Sequence, residues 1–325
     1  MKKSILFFIA LFAFCSLAEA QYGPRATYRF LNIPISAQAA ALGGVPISLV
    51  EANPAQMHAN PAFLNSSNSG SVSATWARYL SEVDMGNISG AYYRPGIGTF
   101  GIGIRYLNYG EFEQIDASGN NLGSFNANDF ALKVAFAREY LGFIQYGIGV
   151  DLIHSSYESF TSSGFGVSGG VLVNLADEQT SFALSFVNLG SQFTTYDGTH
   201  ENLPFDLRAG VSRKLQYLPL RLSLTAHSLH RWDMTTPNDA EEPGFAANLF
   251  RHLTIGGEFL FSDNFHFRLG YNQYLHDELK TDRRIDLAGF GFGVGITVKS
   301  IGFEISRTSY SEIGHLLQLG LKTRF

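Results

Sequence analysis

Three groups of side chains in this sequence have the types and spacing that chemistry demands. His227, His230 and Trp232 fall close together, and His252 comes a short distance on. Neighbouring imidazoles could ligate a transition metal; the alternative is a polar, aromatic-rich rim. Asp151, Asp206, Glu258 and Glu304 are interleaved with Lys133, Arg208, Arg221 and Arg268. Paired carboxylates could move protons, whereas opposite signs mixed in this way read as a lattice of ion pairs. Gly96-Ile97-Gly98-Thr99-Phe100-Gly101 has the spacing of a dinucleotide fingerprint. The stretch directly after it (IGIRYLNY) alternates as a strand, where a phosphate site needs the start of a helix. It reads as a hairpin turn, and the glycine run at 289–295 reads as strand. No Ser/His/Asp spacing or nucleophile elbow occurs, so neither an enzyme nor a cofactor or metal site is expected.

The elements that must position these charges are strands. In 264–272, Phe265, Phe267, Leu269 and Tyr271 alternate with Asn264, His266, Arg268, Gly270 and Asn272. Leu220, Leu222 and Leu224 oppose Arg221, Ser223 and Thr225; Phe205, Leu207, Ala209 and Val211 oppose Asp206, Arg208, Gly210 and Ser212. A slip of one residue would move Arg and Asp into the apolar face, at about 2–4 kcal/mol for an Arg in lipid. Such segments recur near 70–79, 83–93, 98–108, 127–138, 142–153, 164–174, 180–189, 204–213, 218–228, 252–261, 264–274, 283–297, 300–308 and 315–325. That is about fourteen strands, mostly of the length a tilted strand needs to cross a bilayer.

The connections alternate in length. Pro95-Gly96, Tyr140-Leu141, Asp177-Glu178, Gln216-Tyr217, Ser262-Asp263 and Lys299-Ser300 mark short turns. The links near 109–126, 154–163, 190–203, 229–251, 275–282 and 309–314 are longer and more polar; only the one at 80–82 is short. Short periplasmic turns and long outer loops are the asymmetry of transmembrane barrels, and an even strand count predicts both termini in the periplasm. Phe325 supplies an aromatic C-terminus like the outer-membrane assembly signal.

Composition agrees. Charged residues make up 16% of the 325, aromatics 14%, and there are 34 glycines, while mean hydropathy is +0.02. No apolar run after residue 20 reaches the roughly 20 residues of a spanning helix, and the net charge of −5 implies no nucleic-acid partner. A soluble sandwich would have to show one face of its strands to water, yet the apolar faces continue through every strand. The chain opens with an export signal over 1–20: Lys2 and Lys3, an apolar stretch from Ile5 to Phe14, then Ala18-Glu19-Ala20 as the cleavage pattern. The alternative is a lipoprotein signal ending at Cys15, against which the bulky Phe14 argues. Cys15 is the only cysteine, so a chain cleaved at residue 20 has no disulfide.

The predicted architecture is an all-β, antiparallel transmembrane barrel over 69–325 with an N-terminal plug over 21–68. The plug region lacks alternation. Ser36 to Leu42 reads as a short helix stopped by Gly43-Gly44, and Asn53-Pro54-Ala55 and Asn60-Pro61-Ala62 read as turns or helix starts. Inward glycines (Gly147, Gly149, Gly289, Gly291, Gly293, Gly295) leave room for it. Within the link 229–251, Asp239 to Arg251 could form a helix.

The blocks Tyr28 to Ala37, Ala41-Leu42-Gly43-Gly44, Asn60-Pro61-Ala62, Asn248 to His252 and Gly256 to Phe259 resemble the PorV/PorQ family of the type IX secretion system, PorQ above all. The ALGG and NPA blocks also occur in the wider group of barrels similar to the long-chain fatty-acid transporter. The resemblance implies a non-enzymatic outer-membrane component of the cell-surface attachment complex, embedded in outer-membrane lipid. It would anchor a PorZ-like surface protein and adjoin a sortase-like protease. Leu42, Gly43, Gly44, Asn60, Pro61 and Ala62 would seal the lumen, and Trp232 and Met234, both expected to be exposed, would be docking anchors. The alternative is a transporter of hydrophobic or small solutes.

Overall fold

The computed structural model describes residues 26–79, 83–116, 118–175, 179–239, 241–281, 286–310 and 314–325. The export signal, the connection 80–82 and the Asp177-Glu178 turn lie outside them. Fourteen strands succeed one another around a ring. They are β1 Ser71–Tyr79, β2 Val83–Arg94, β3 Gly98–Ile115, β4 Asn121–Tyr140, β5 Ile144–Tyr157, β6 Phe160–Asn174 and β7 Thr180–Thr194. They continue with β8 Asp206–Lys214, β9 Leu220–Ala226, β10 Leu253–Ser262, β11 Phe265–Asn272, β12 Phe290–Val298, β13 Ile301–Ser309 and β14 His315–Arg324. Each pairs antiparallel with the next, and β1 closes on β14 with Ser71 opposite Arg324.

The alternation sets the barrel inside out. Ile102, Leu152, Leu184, Ile255 and Phe303 point outward and are exposed, while Ser73, Lys133, Asp151, Ser223 and Gln318 point inward and are buried. An apolar outer face of this kind is stable against hydrocarbon, not water, and ring closure leaves no strand edge unpaired. The barrel is a transmembrane one.

Two expected loops are walls. β3 and β4 run 18 and 20 residues, so 109–126 is mostly a hairpin, not a loop. β5 and β6 likewise meet across 158–159, where the sequence predicts a longer link. The wall drops beyond β7, with β8 and β9 of 9 and 7 residues. Alternation hides these extensions. Above the lipid the outward side chains need not be apolar, and bulges between Asn108 and Glu111 and between Gln114 and Ile115 break the two-residue period.

Three α-helices are described: α1 Ala37–Ala41, α2 Phe245–Arg251 and α3 Gln273–Leu279. α2 starts later than the predicted Asp239. α3 stands where the predicted strand of 264–274 runs on past residue 272; Asn272 stops the strand by accepting from Leu275 N and capping the helix.

Residues 26–68 pass through the lumen from one end to the other. Ala26 forms a bridge with Asn202, in the β7–β8 connection at the end with long links. Gly70 N donates to Ala91 O, and Phe325 N to Gly70 O, at the end with short turns. The expectation that both termini share one end concerns an N-terminus that lies outside the described residues. Phe325 lies at the short-turn end, whereas the first described residues lie at the opposite mouth.

Candidate functional site in the lumen

Local sequence shapes the lumen segment. Ser36 caps α1 by accepting from Ala39 N at 3.2 Å, and Gly43 and Gly44 turn the chain out of it with φ of +86° and +99°. The two Asn-Pro-Ala blocks form the same unit twice. Asn53 Oδ1 accepts from Ala55 N at 3.0 Å and Asn60 Oδ1 from Ala62 N at 2.9 Å, each leading into a 3-10 turn with proline at its start. Proline suits that position because its missing N–H would be unsatisfied there in any case.

Wall glycines receive this segment. A Cβ on Gly147 would stand 2.6 Å from Pro61 C, and one on Gly293 2.6 Å from Ala41 Cβ. Gly170 faces Asn60 Oδ1, Gly291 faces the Ala40 carbonyl, and Gly270 faces the Leu42–Gly43 peptide. Leu42, Asn60, Pro61 and Ala62 are buried, as is Gly43; Gly44 is half-buried. A Cβ on Gly149 would stand 3.6 Å from Pro61 Cγ, but Gly295 makes room for Arg268, and Gly289 (φ +79°) shapes the entry to β12.

The lumen is divided by polarity. Toward the long-link mouth, Tyr28 and Phe30 pack in a buried apolar cluster with Ala77, Met85, Leu107, Ala131, Ile153 and Leu316. Arg105 Nη1 donates to Phe30 O at 3.1 Å, at the cluster's lower border. Above it, Tyr109 Oη donates to Asp129 Oδ2 at 2.6 Å, and the rings of Tyr109, Tyr157 and Tyr196 meet in series, the first pair tilted and the second edge to face.

Toward the short-turn end the lining is ionic. Arg268 Nε lies 2.7 Å from Glu258 Oε1 and Arg268 Nη1 3.3 Å from Glu304 Oε1. Arg221 Nη1 lies 3.1 Å from Glu258 Oε2. Across the barrel, Lys133 Nζ lies 2.8 Å from Asp151 Oδ2, and at the long-link end of β8 Arg208 Nε lies 2.6 Å from Asp206 Oδ2. The eight wall charges singled out in the sequence therefore point inward and pair with one another. Sequence patterning misses Glu51, which projects from the lumen segment to Arg268 Nη2 (3.6 Å), Lys322 Nζ (3.4 Å) and Arg221 Nη1 (4.0 Å). A lone acidic residue in an unpatterned segment gives no signal. Glu51, Glu258 and His266 bring possible metal-ligand atoms within 4.8 Å of one another. Arg221, Arg268 and Lys322 already neutralise these carboxylates, which disfavours a cation there.

The histidines at the mouth do not converge on a metal either. His252 is buried and turns its ring nitrogens to the carbonyls of His227 (2.8 Å) and Trp232 (3.1 Å). Trp232 is 51% exposed and stacks between Phe245 and His252. Met234 is 1% exposed, which corrects its expected role as an exposed anchor. Its backbone is held by Asn248 Oδ1 and Arg251 Nη1, which draw this part of the link beneath α2.

No family model matches the sequence, and no curated protein does. Solved structures do match in shape. The toluene transporter TbuX of Ralstonia pickettii superposes with a TM-score of 0.56 at 13% identity, over 91% of this chain and 100% of that one. The toluene transporter TodX of P. putida gives 0.57 at 13%, over 91% and 99%. A Pseudomonas aeruginosa FadL homologue gives 0.52 at 9%, over 89% and 98%. The fold is that of these outer-membrane barrels. At such identities the likeness is one of fold alone. It lends nothing to the narrower resemblance to PorV and PorQ.

Proposed function

We propose that this chain is a non-enzymatic outer-membrane barrel that admits small apolar molecules at its outer mouth, with the N-terminal segment as its gate. The observation that carries this reading is the apolar collar around Phe30 in the mouth-side half of the lumen, within a fold shared with two toluene transporters. In this reading the long-link mouth faces outward, the collar receives the solute, and the ionic half around Glu51 opens only when the segment shifts. The test is uptake of labelled toluene into proteoliposomes. Saturable uptake that Leu107→Asp abolishes supports the reading; uptake no greater than that of protein-free vesicles overturns it.

A second reading has its own support. The ionic half ties the lumen segment to three wall cations, and a lumen held shut suits a protein that anchors others. It would be an attachment-complex component of type IX secretion, holding a PorZ-like surface protein through the link 229–251 and lying near a sortase. Phe325 would then serve as its assembly signal. A strain lacking the gene distinguishes the two. Cargo that keeps its C-terminal sorting domain, or leaves the surface, supports the anchor; normal cargo with reduced uptake of apolar nutrients removes it.

A further inference from the structure

Helix α2 has its polarity reversed. Asn248 and Arg251 are 3% and 4% exposed, whereas Phe245, Leu249 and Phe250 are 74%, 40% and 57% exposed. Ala246 and Ala247 are exposed beside them. The polar side chains are held inward: Asn248 Oδ1 accepts from Met234 N at 3.0 Å, and Asn248 Nδ2 donates to Trp232 O. Arg251 pairs with Asp239 at 2.7 Å and Asp277 at 2.9 Å. A helix facing water does the opposite, turning its charges out and its aromatic residues toward the core.

The barrel wall is built in the same reversed sense, and α2 runs directly into it. β10 begins two residues after Arg251, and its outward Ile255 is exposed and paired with Leu224, which is also exposed. At about 3.3 Å per residue, Ile255 lies within roughly 13 Å of the end of α2, so the helix stands at the rim of the lipid-facing band. Trp232, stacked on Phe245 at 5.1 Å, adds the amphipathic ring that favours headgroup depth. Glu241 and Glu242 are exposed just ahead of the helix, so attraction to anionic headgroups plays no part.

We propose that α2 and Trp232 form an interfacial anchor that lies in the outer boundary of the bilayer. The partner is the acyl region of the outer leaflet, and the anchor continues the apolar band upward from β9 and β10.

The test uses the intact barrel in phosphatidylcholine vesicles brominated high on the acyl chain. Trp76 and Trp232 are the only tryptophans, so Trp76→Phe leaves Trp232 as sole reporter. Trp232→Phe leaves Trp76, an outward residue of β1, as the lipid-facing standard. Phe250→Trp in the doubly substituted background reads the helix itself, and the migration of unheated samples on gels reports folding. The expected result is that both loop reporters are quenched by the brominated lipid to the extent Trp76 shows, and are shielded from aqueous iodide. Quenching by iodide without quenching by bromolipid overturns the proposal. So does shielding that vanishes when the protein is diluted within the membrane, because a second copy would then be covering the patch.

Discussion

Glu51 of the lumen segment lies 3.6 Å from the guanidinium of Arg268 on β11, inside the barrel. Glu51, Glu258 and Glu304 face Arg221, Arg268 and Lys322 in one connected set. Glu51 is the member of that set that does not belong to the wall. Removing one partner of a buried pair costs about 3–5 kcal/mol, but Arg268 retains two carboxylates, so Glu51→Gln should cost less than that. Its effect should fall on the segment. Planar-bilayer recordings should show openings that the unsubstituted barrel lacks, while barrel melting changes little.

Lys133 and Asp151 make the cleaner buried pair, at 2.8 Å with both side chains 2% exposed. Lys133→Met leaves a carboxylate inside the barrel without its cation and should cost about 3–5 kcal/mol in urea unfolding. Adding Asp151→Leu should recover most of that loss. A double variant as unstable as the single one would refute the account.

Gly147 tests the fit between wall and segment. A Cβ there meets Pro61 at 2.6 Å, and overpacking of this kind costs about 1–3 kcal/mol. Gly147→Val should expose residues 26–68 to added protease and leave the strands resistant. Gly86→Val, at a position with open space around its Cβ, should change neither.

Phe30 is 2% exposed within the mouth-side cluster. Phe30→Ala should destabilise the segment by about 3–5 kcal/mol and leave an apolar void. If the collar admits small arenes, toluene should refill that void. The readout is the melting temperature of the variant, which should rise with toluene concentration more steeply than that of the parent.

Asp239 has a pH signature. Hydrogen bonds from Arg251, chiefly, hold its carboxyl well below the usual range. Burial would raise Asp277, but its hydrogen bonds from Arg251, Gln273 and Lys280 together outweigh this and leave it lowered as well. Carboxyls depressed in the folded state contribute stability that is complete above their unfolded pKa of about 4 and is lost as pH falls through the lower folded value. Hydrogen exchange of 229–251 should therefore be equally protected at neutral and mildly acidic pH. Protection should decline only below about pH 4.

The wall is legible in the sequence because lipid outside and ion pairs inside impose a period of two: Phe265, Phe267 and Leu269 against His266, Arg268 and Gly270 reappear as β11 with those faces. Both Asn-Pro-Ala blocks are legible because Asn and Pro have fixed local chemistry. Glu51 and the taller walls are not. Glu51 acquires its partners only through the path of 26–68 across the lumen, and β3 and β4 outgrow the lipid that enforces the pattern. Met234 misleads because burial within a polar link depends on Arg251 and Asn248, which lie distant in sequence.

The seam between β1 and β14 joins Ser71 to Arg324 around a segment that is already inside. A closed ring could not be filled afterwards without drawing a capped helix and two proline turns through a narrow mouth. The lumen segment must therefore be in place while the sheet is still curling. The order of synthesis suits this, because the segment precedes every strand and the stave that locks the ring is the last to arrive.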